Sequence, residues 1–270
     1  MGTPRSWADL KSGDFAALDP AATVAVLPLG ATEQHGPHLP LCVDHRIVDG
    51  MVQAALAKLD PNVCALVLPT QAISYSPEHA QFTGTLTLSP ATVIASWVEI
   101  GECVARAGVR KLLLLNAHGG NVGVMDIVAR ELRSRGLIVY SCSWWNLPLG
   151  AAKDAFPPAE HRFGVHAGDM ETSLMLALAP AQVDMARAAN FTSSSQERAG
   201  RYEVLGNGVA AKLGWHMQDY NEAGAAGNAA AATRDKGQAL LDAAGIALAK
   251  LLQEFSQLPL STLVDAPARR

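Results

Sequence analysis

Residues 33–45 read EQHGPHLPLCVDH. A Glu, three His and an Asp are interleaved with Pro, Gly and Leu, and the prolines keep this stretch from being a regular helix. Glu33 and His35 stand two apart, so in an extended chain their side chains share one side. Asp44 follows after the irregular PHLPL, His118 lies in NAHGGN (116–121), and Glu171 lies in DMETSLMLALA (169–179). Three carboxylates and two imidazoles suit zinc, manganese or iron(II). One open site takes about three protein ligands. Five hold two ions about 3.5–4 Å apart if one carboxylate bridges, and Asp44 with its two oxygens is a sensible bridge. Each residue also has an ordinary explanation: Asp44 precedes a helical stretch and is a plausible N-cap, Glu33 could cap a loop, and a lone His is more often structural. The density of the set, and its second member after another apolar run, favour the metal.

The elements that must position these residues are legible as apolar runs. TVAVLPLG (23–30), VCALVLPT (63–70), KLLLLNAHGG (111–120) and GLIVYSCSWW (136–145) read as buried strands of a parallel sheet. Between them, 45–59, 90–107 and 121–135 have helical length and amphipathic spacing. Pro90 suits a first turn, Ser89 its N-cap, and Gly108 and Gly136 fall where helix C-caps belong. A further helix is expected at 169–179, closed by Pro180, and a last one over 236–255. The polar, Gly/Ala-rich 190–235 reads as loops, and the tail 266–270 as frayed. Alternating strands and helices predict an α/β fold. In such sheets ligands bind beyond the carboxyl ends of the strands, and the chemistry-bearing residues here follow the strands.

Composition removes other classes. With 270 residues and 49% hydrophobic residues, the chain suits one large α/β domain, 1–270, with a sizeable core. A net charge of −4 with 17% charged residues is no nucleic-acid footprint, and no apolar run approaches a membrane span. The N-terminal MGTPRSWADLKSGDF lacks a signal-peptide core, so a cytoplasmic protein with reduced cysteines is expected. Cys42, Cys64, Cys103 and Cys142 form no CxxC pair. Gly119 and Gly120 allow close approach of backbone to a ligand, and their N–H groups could face an anion.

The ordered segments LPLGATEQHGPHLPLCVDH, EHAQFTGTLTL, LLLLNAHGGN and HAGDMETSLML resemble the creatininase family, metal-dependent hydrolases of carbon–nitrogen bonds, mostly in cyclic amides. The resemblance implies a three-layer α/β/α sandwich with a mostly parallel sheet, a binuclear zinc or manganese centre (iron also fits), and a homohexamer. Its ligands would be Glu33, His35, Asp44 and His118, with Asp44 bridging. Creatininase itself carries a ligand Glu where this chain has Gly120; in relatives that share HGGN, a Glu in the position of Glu171 completes the site. By the same resemblance a metal-bridging hydroxide attacks the amide carbonyl, with the Gly119–Gly120 backbone available to the oxyanion. His166 or His79 would supply the leaving-group proton or orient the carbonyl. Trp144 and Trp145 resemble an aromatic wall around a flat ring; as strand neighbours only one should face the pocket. The sequence shows no Trp near Arg162 to supply a second wall, and the loop ISYSPEHAQF is shorter than creatininase's. The resemblance implies opening of creatinine or a related lactam as the expected activity. Hydrolysis of a linear formamide or peptide is the alternative, and a non-catalytic metal-binding protein the third. His38 and His45 are expected to support the site.

Overall fold

The structure, a computed structural model, describes residues 5–267. Residues 1–4 of the N-terminal stretch and 268–270 of the tail lie outside the described residues. Four strands, β1 (Val24–Leu29), β2 (Ala65–Val67), β3 (Lys111–Asn116) and β4 (Ile138–Ser143), form an all-parallel sheet in the order β2-β1-β3-β4. All six residues of β1 and of β3 are buried, as their apolar runs require of central strands. Pro28 is tolerated in β1 because its missing N–H falls on the β2 side, beyond the last ladder residue Val67.

Alternate strand residues feed two cores. Val24, Val26, Leu113 and Leu115 pack with α1 (Val43–Leu56), the helix Asp169–Leu178 and the C-terminal helix Arg234–Gln257. Ala25, Leu27, Leu29, Leu112 and Leu114 pack with α2 (Pro90–Arg106) and α3 (Asn121–Ser134), around a fully buried Trp97. The result is the expected three-layer α/β/α sandwich. Buried side chains such as Ile47 and Met51 of α1 contribute about 1.5–3 kcal/mol each. Glycine sets how closely the helices approach: a Cβ on Gly237 would run into the Ser173 carbonyl, and one on Gly245 would lie 2.8 Å from the Ala54 Cβ.

The punctuation read from the sequence holds. Ser89 caps α2 by accepting from the Thr92 N–H at 3.2 Å, and Gly108 and Gly136 take φ of +87° and +83° after α2 and α3. Two expectations are corrected. Helix α1 begins at Val43, so Asp44 lies inside its first turn, and the N-cap position is Cys42. The stretch 190–235 is not all loop: it carries the helices Ser194–Arg201 and Met217–Tyr220 and an antiparallel pairing of Asn190–Phe191 with Gly227–Asn228. Among the described residues no helix is long and apolar enough to cross a membrane.

The chain leaves β1 towards β2 on one side and later enters β3 on the other. The carboxyl ends of β1 and β3 are thus the topological switch point, where such sheets leave a crevice.

Candidate metal centre and its pocket

Glu33 and His35 leave the end of β1 in a tight loop. Gly36 turns the chain at φ +66°, His35 bridges Leu39, and the Glu33 N–H donates to the Leu41 carbonyl at 3.1 Å. The loop then enters α1, which approaches Gly30 so closely that a Cβ there would lie 2.6 Å from the His45 backbone. Asp44, in the first turn, is thereby aimed back at the end of β1. His118 follows β3, and Glu171 comes from the helix Asp169–Leu178. All five predicted ligands meet.

Asp44 is the centre of the set. Its Oδ1 is 3.2 Å from His35 Nε2 and its Oδ2 is 3.2 Å from His118 Nδ1, which is also 3.2 Å from Glu33 Oε1. Donor atoms of His35, Asp44 and Glu171 lie within 4.8 Å of one another, as do those of Glu33, Glu78 and His118, and those of Glu33, His35 and His166. His35 Nδ1 sits 3.0 Å from the Glu33 carbonyl. A carbonyl only accepts, so Nδ1 carries the proton and Nε2 is the nitrogen left facing Asp44. His35 Nε2 and Asp44 Oδ2 are buried without a hydrogen-bond partner. Such orphaned atoms are costly, and the gap between them asks for a proton or a cation. Burial alone would push His35 down, but the Asp44 charge outweighs it and holds this imidazole up at about 9. His118 is likewise held well above its usual value by Glu33 and Asp44 against burial. Burial raises Asp44, yet the two imidazoles bring it below the usual carboxylate range. Burial pushes Glu171 up to about 7, His35 opposing. A set of mutually compensating, buried carboxylates and imidazoles fits a divalent cation in place of the protons.

The other histidines are locked around Gln34. The Gly36 N–H donates to Gln34 Oε1 at 3.0 Å, which turns the Gln34 amide nitrogen to His79 Nδ1 at 2.7 Å. His79 Nδ1 therefore accepts, and its proton sits on Nε2, 3.3 Å from Glu33 Oε1. His166 Nε2 donates to the Gln34 carbonyl at 2.7 Å, and its Nδ1 lies 3.8 Å from Glu33 Oε1. Burial, with the neighbouring imidazoles, pushes His166 well below its usual value; burial brings His79 to about 4. His166 is followed by Ala167 at φ +53°, a left-handed non-glycine residue. Such a conformation costs on the order of 1–3 kcal/mol and persists only where surroundings enforce it; here the Ala167 N–H donates to Glu171 Oε2 at 2.5 Å.

A cavity of about 340 Å³ opens over the centre. Glu33, Asp44, His118, Glu171, His79 and His166 all border it; His35 is buried beneath. Trp144 and Trp145 both line it. This corrects the strand argument: β4 ends at Ser143, and a 3-10 turn over Trp144–Asn146 rotates both indoles to the same cavity, 6.0 Å apart at 81°. The Trp144 indole N–H is buried with no partner. A third tryptophan, which sequence reasoning missed, completes the wall. Trp215 lines the cavity, lies edge-on to His79 at 6.4 Å, and shares an adjoining cavity with Arg162. So the expectation of no tryptophan near Arg162 fails in space, though not along the chain. Glu78 was also missed; it borders the cavity 3.6 Å from His118 Nε2. Gly119 lines the cavity, whereas Gly120 faces the Tyr75 carbonyl and Glu78. His38 stacks on Phe191 and bonds Thr172 Oγ1 at 2.9 Å, and His45 Nδ1 donates to the Ala31 carbonyl at 3.1 Å, so both brace the loop from behind.

This arrangement of carboxylates and imidazoles at a β1/β3 switch point agrees with what the chain resembles. A sequence profile for creatininase, described as creatinine amidohydrolase, matches residues 8–252. The chain belongs to the creatininase family. Among curated relatives, the mycofactocin precursor peptide peptidase of Mycobacterium tuberculosis is 34% identical over 181 residues, 65% of this chain and 66% of that protein. The creatinine amidohydrolase of Pseudomonas putida is 34% identical over 180 residues, 61% of this chain and 67% of that protein. The matched stretch thus spans about two-thirds of these relatives' length. A crystal structure of creatininase superposes with a TM-score of 0.74 at 28% identity, covering 93% of this chain and 98% of the other. A manganese creatininase gives 0.74 at 26% identity over the same shares. The family is one of hydrolases, and its solved members include a manganese form.

Proposed function

We propose that the protein is a single-domain, binuclear metal-dependent amidohydrolase whose substrate is a compact, flat amide, with a cyclic amide such as creatinine or a related lactam as the first reading. The observation that carries it is Asp44, with one oxygen facing each of two imidazoles and with buried donor atoms left unpartnered around it. Glu33, Asp44 and His118 would hold one ion, and His35, Asp44 and Glu171 the other. Zinc, manganese and iron all suit this donor set. When bound there, divalent metal would supply an acidic water and a Lewis acid for the amide carbonyl.

The remaining work falls to this chain's own residues. Trp144, Trp145 and Trp215 enclose a planar substrate and exclude water. The backbone at Gly119 stands beside the cavity as a donor for substrate oxygens. His166 has committed its Nε2–H to Gln34 and holds the 33–36 loop. His79 carries its proton on Nε2 at the cavity wall, 3.3 Å from Glu33 Oε1, and we assign it the hydrogen bond to the departing nitrogen once Glu33 is drawn to the metal.

A second reading, hydrolysis of a linear amide or peptide, is favoured by one observation. The adjoining cavity of about 310 Å³ shares Val165 and Trp215 with the first and is lined by Arg162, Arg198 and Lys212, room for a longer, anionic substrate. The peptidase relative is as similar as the amidohydrolase one. Assembly as a homohexamer is proposed from the family likeness, and sedimentation would test it. The function is tested by mass spectrometry of zinc- or manganese-loaded protein with creatinine, other lactams, formamides and short peptides. Ring opening supports the first reading and cleavage of peptides alone the second. Protein shown to hold metal that hydrolyses none of them would overturn both.

A further inference from the structure

Gly120 stands two residues after the ligand His118 and has no side chain to offer. The space beside it is not empty. A Cβ on Gly120 would meet the Tyr75 carbonyl, Glu78 Oε1 at 2.5 Å and His118 Nε2 at 2.5 Å. Glu78 reaches this place from the short 3-10 turn Pro77–His79, which follows β2. Its side chain is 12% exposed, borders the cavity, and has no Lys or Arg partner among the described residues; its one ion-pair neighbour is His118, at 3.6 Å. Ser76, two residues before it, donates to Glu33 Oε2 at 2.5 Å and lies 3.1 Å from His118 Nε2, the ring nitrogen that also faces the Tyr75 carbonyl at 3.0 Å, and donor atoms of Glu33, Glu78 and His118 lie within 4.8 Å of one another.

Charge gives a second, independent argument. Glu33, Asp44 and Glu171 bring three negative charges to the centre, against four positive charges on two divalent ions. Glu78 brings the fourth. We propose that Glu78 is a metal-centre carboxylate on the His118 side, delivered by the loop after β2 into the space left by Gly120. This deepens the metal-hydrolase reading above and rests on it. In this chain the small residue at 120 and the carboxylate at 78 are then a matched pair: a side chain at 120 would displace Glu78.

The test is metal affinity, read separately from activity. Metal-free wild type and Glu78→Gln, which keeps shape and loses charge, are titrated with zinc against a chromogenic chelator, and cobalt(II) absorption reports the ligand field of each equivalent. Wild type is expected to bind two equivalents. Glu78→Gln is expected to bind one of them about 10–100-fold more weakly, with an altered cobalt spectrum, while Glu78→Asp recovers part of the affinity. Circular dichroism of the metal-free forms should be unchanged, because the carboxylate makes no bond that holds the fold. Two equivalents bound by Glu78→Gln with wild-type affinity and spectrum would overturn the role of Glu78 and leave the hydrolase reading standing. Wild type that binds no divalent metal would overturn both.

Discussion

Replacing Asp44 by Asn changes one oxygen to nitrogen at the point where both halves of the centre meet. The side chain is 2% exposed and 3.2 Å from a nitrogen of each imidazole, so shape is preserved and a full charge is lost. At that distance and an effective dielectric of about 20, a unit charge on Asp44 interacts with a unit positive charge by about 5 kcal/mol. That is more than three decades of cation affinity. In wild type, free zinc at about a thousand times its dissociation constant stabilises the fold by about 4 kcal/mol. For 270 residues the unfolding entropy is about 0.6 kcal/mol/K, so this stabilisation is worth about 7 °C in Tm. Differential scanning fluorimetry with and without chelator reads it directly. Chelator should lower the wild-type Tm by about 7 °C and the Asp44→Asn Tm by about 1 °C or less. The metal-free variant also loses the pairing of Asp44 with the His35 imidazolium, so the chelator-sensitive increment, and not the metal-free Tm, is the readout. A variant that keeps the full chelator-sensitive increment would refute the placement of Asp44 between two ions.

Three further outcomes follow from the same geometry. Below about pH 9 the metal-free site holds a proton on His35 that a cation must displace, so apparent zinc affinity should rise with pH, about tenfold per unit for each proton released, and level off above about 9; affinity flat between pH 6 and 9, measured with a pH-corrected chelator, would contradict the assignment. Trp215→Ala should raise KM for a flat amide by roughly fivefold, from the loss of about 1 kcal/mol of aromatic contact, with Tm nearly unchanged because Trp215 is only partly buried; an unchanged KM across substrates would remove it from the pocket. Gly237→Ala puts a methyl against the Ser173 carbonyl and should cost about 1–3 kcal/mol by denaturant melt, while the folded fraction keeps its metal; a stabilised variant would be inconsistent with the close helix crossing.

Much of the centre is legible in the sequence because its residues are read out by strands. Glu33, His35 and His118 follow β1 and β3 within a few positions, and a parallel sheet has one reactive edge, so their convergence follows from the apolar runs alone. Asp44 and Glu171 each begin a helix packed on the same face, which periodicity also marks. Trp215 and Glu78 are hidden for different reasons. The chain around Trp215 alternates short turns held by tertiary contacts, and the helix Ser194–Arg201 buries no residue, so no period reveals where it lies. Glu78 sits in a motif whose more conspicuous member is His79; only the Gly120 contacts show which way it points. Trp144 and Trp145 defeat the alternation argument because the apolar run outlasts the strand by two residues. One residue of 3-10 turn changes the side on which an indole emerges.

The C-terminal helix Arg234–Gln257 packs against both α1 and the helix Asp169–Leu178, the two supports that carry Asp44 and Glu171. During synthesis the loop 33–41 and α1 leave the ribosome long before their clamp exists. The helices that carry Asp44 and Glu171 also touch each other directly, and the docking of residues 234–257 clamps the pair. A cation that arrived earlier would meet scattered, flexible donors and bind by availability, in the order of intrinsic affinity that favours copper and zinc. Loading after the last helix docks presents a site whose spacing is already set, and the choice of ion then belongs to the finished fold.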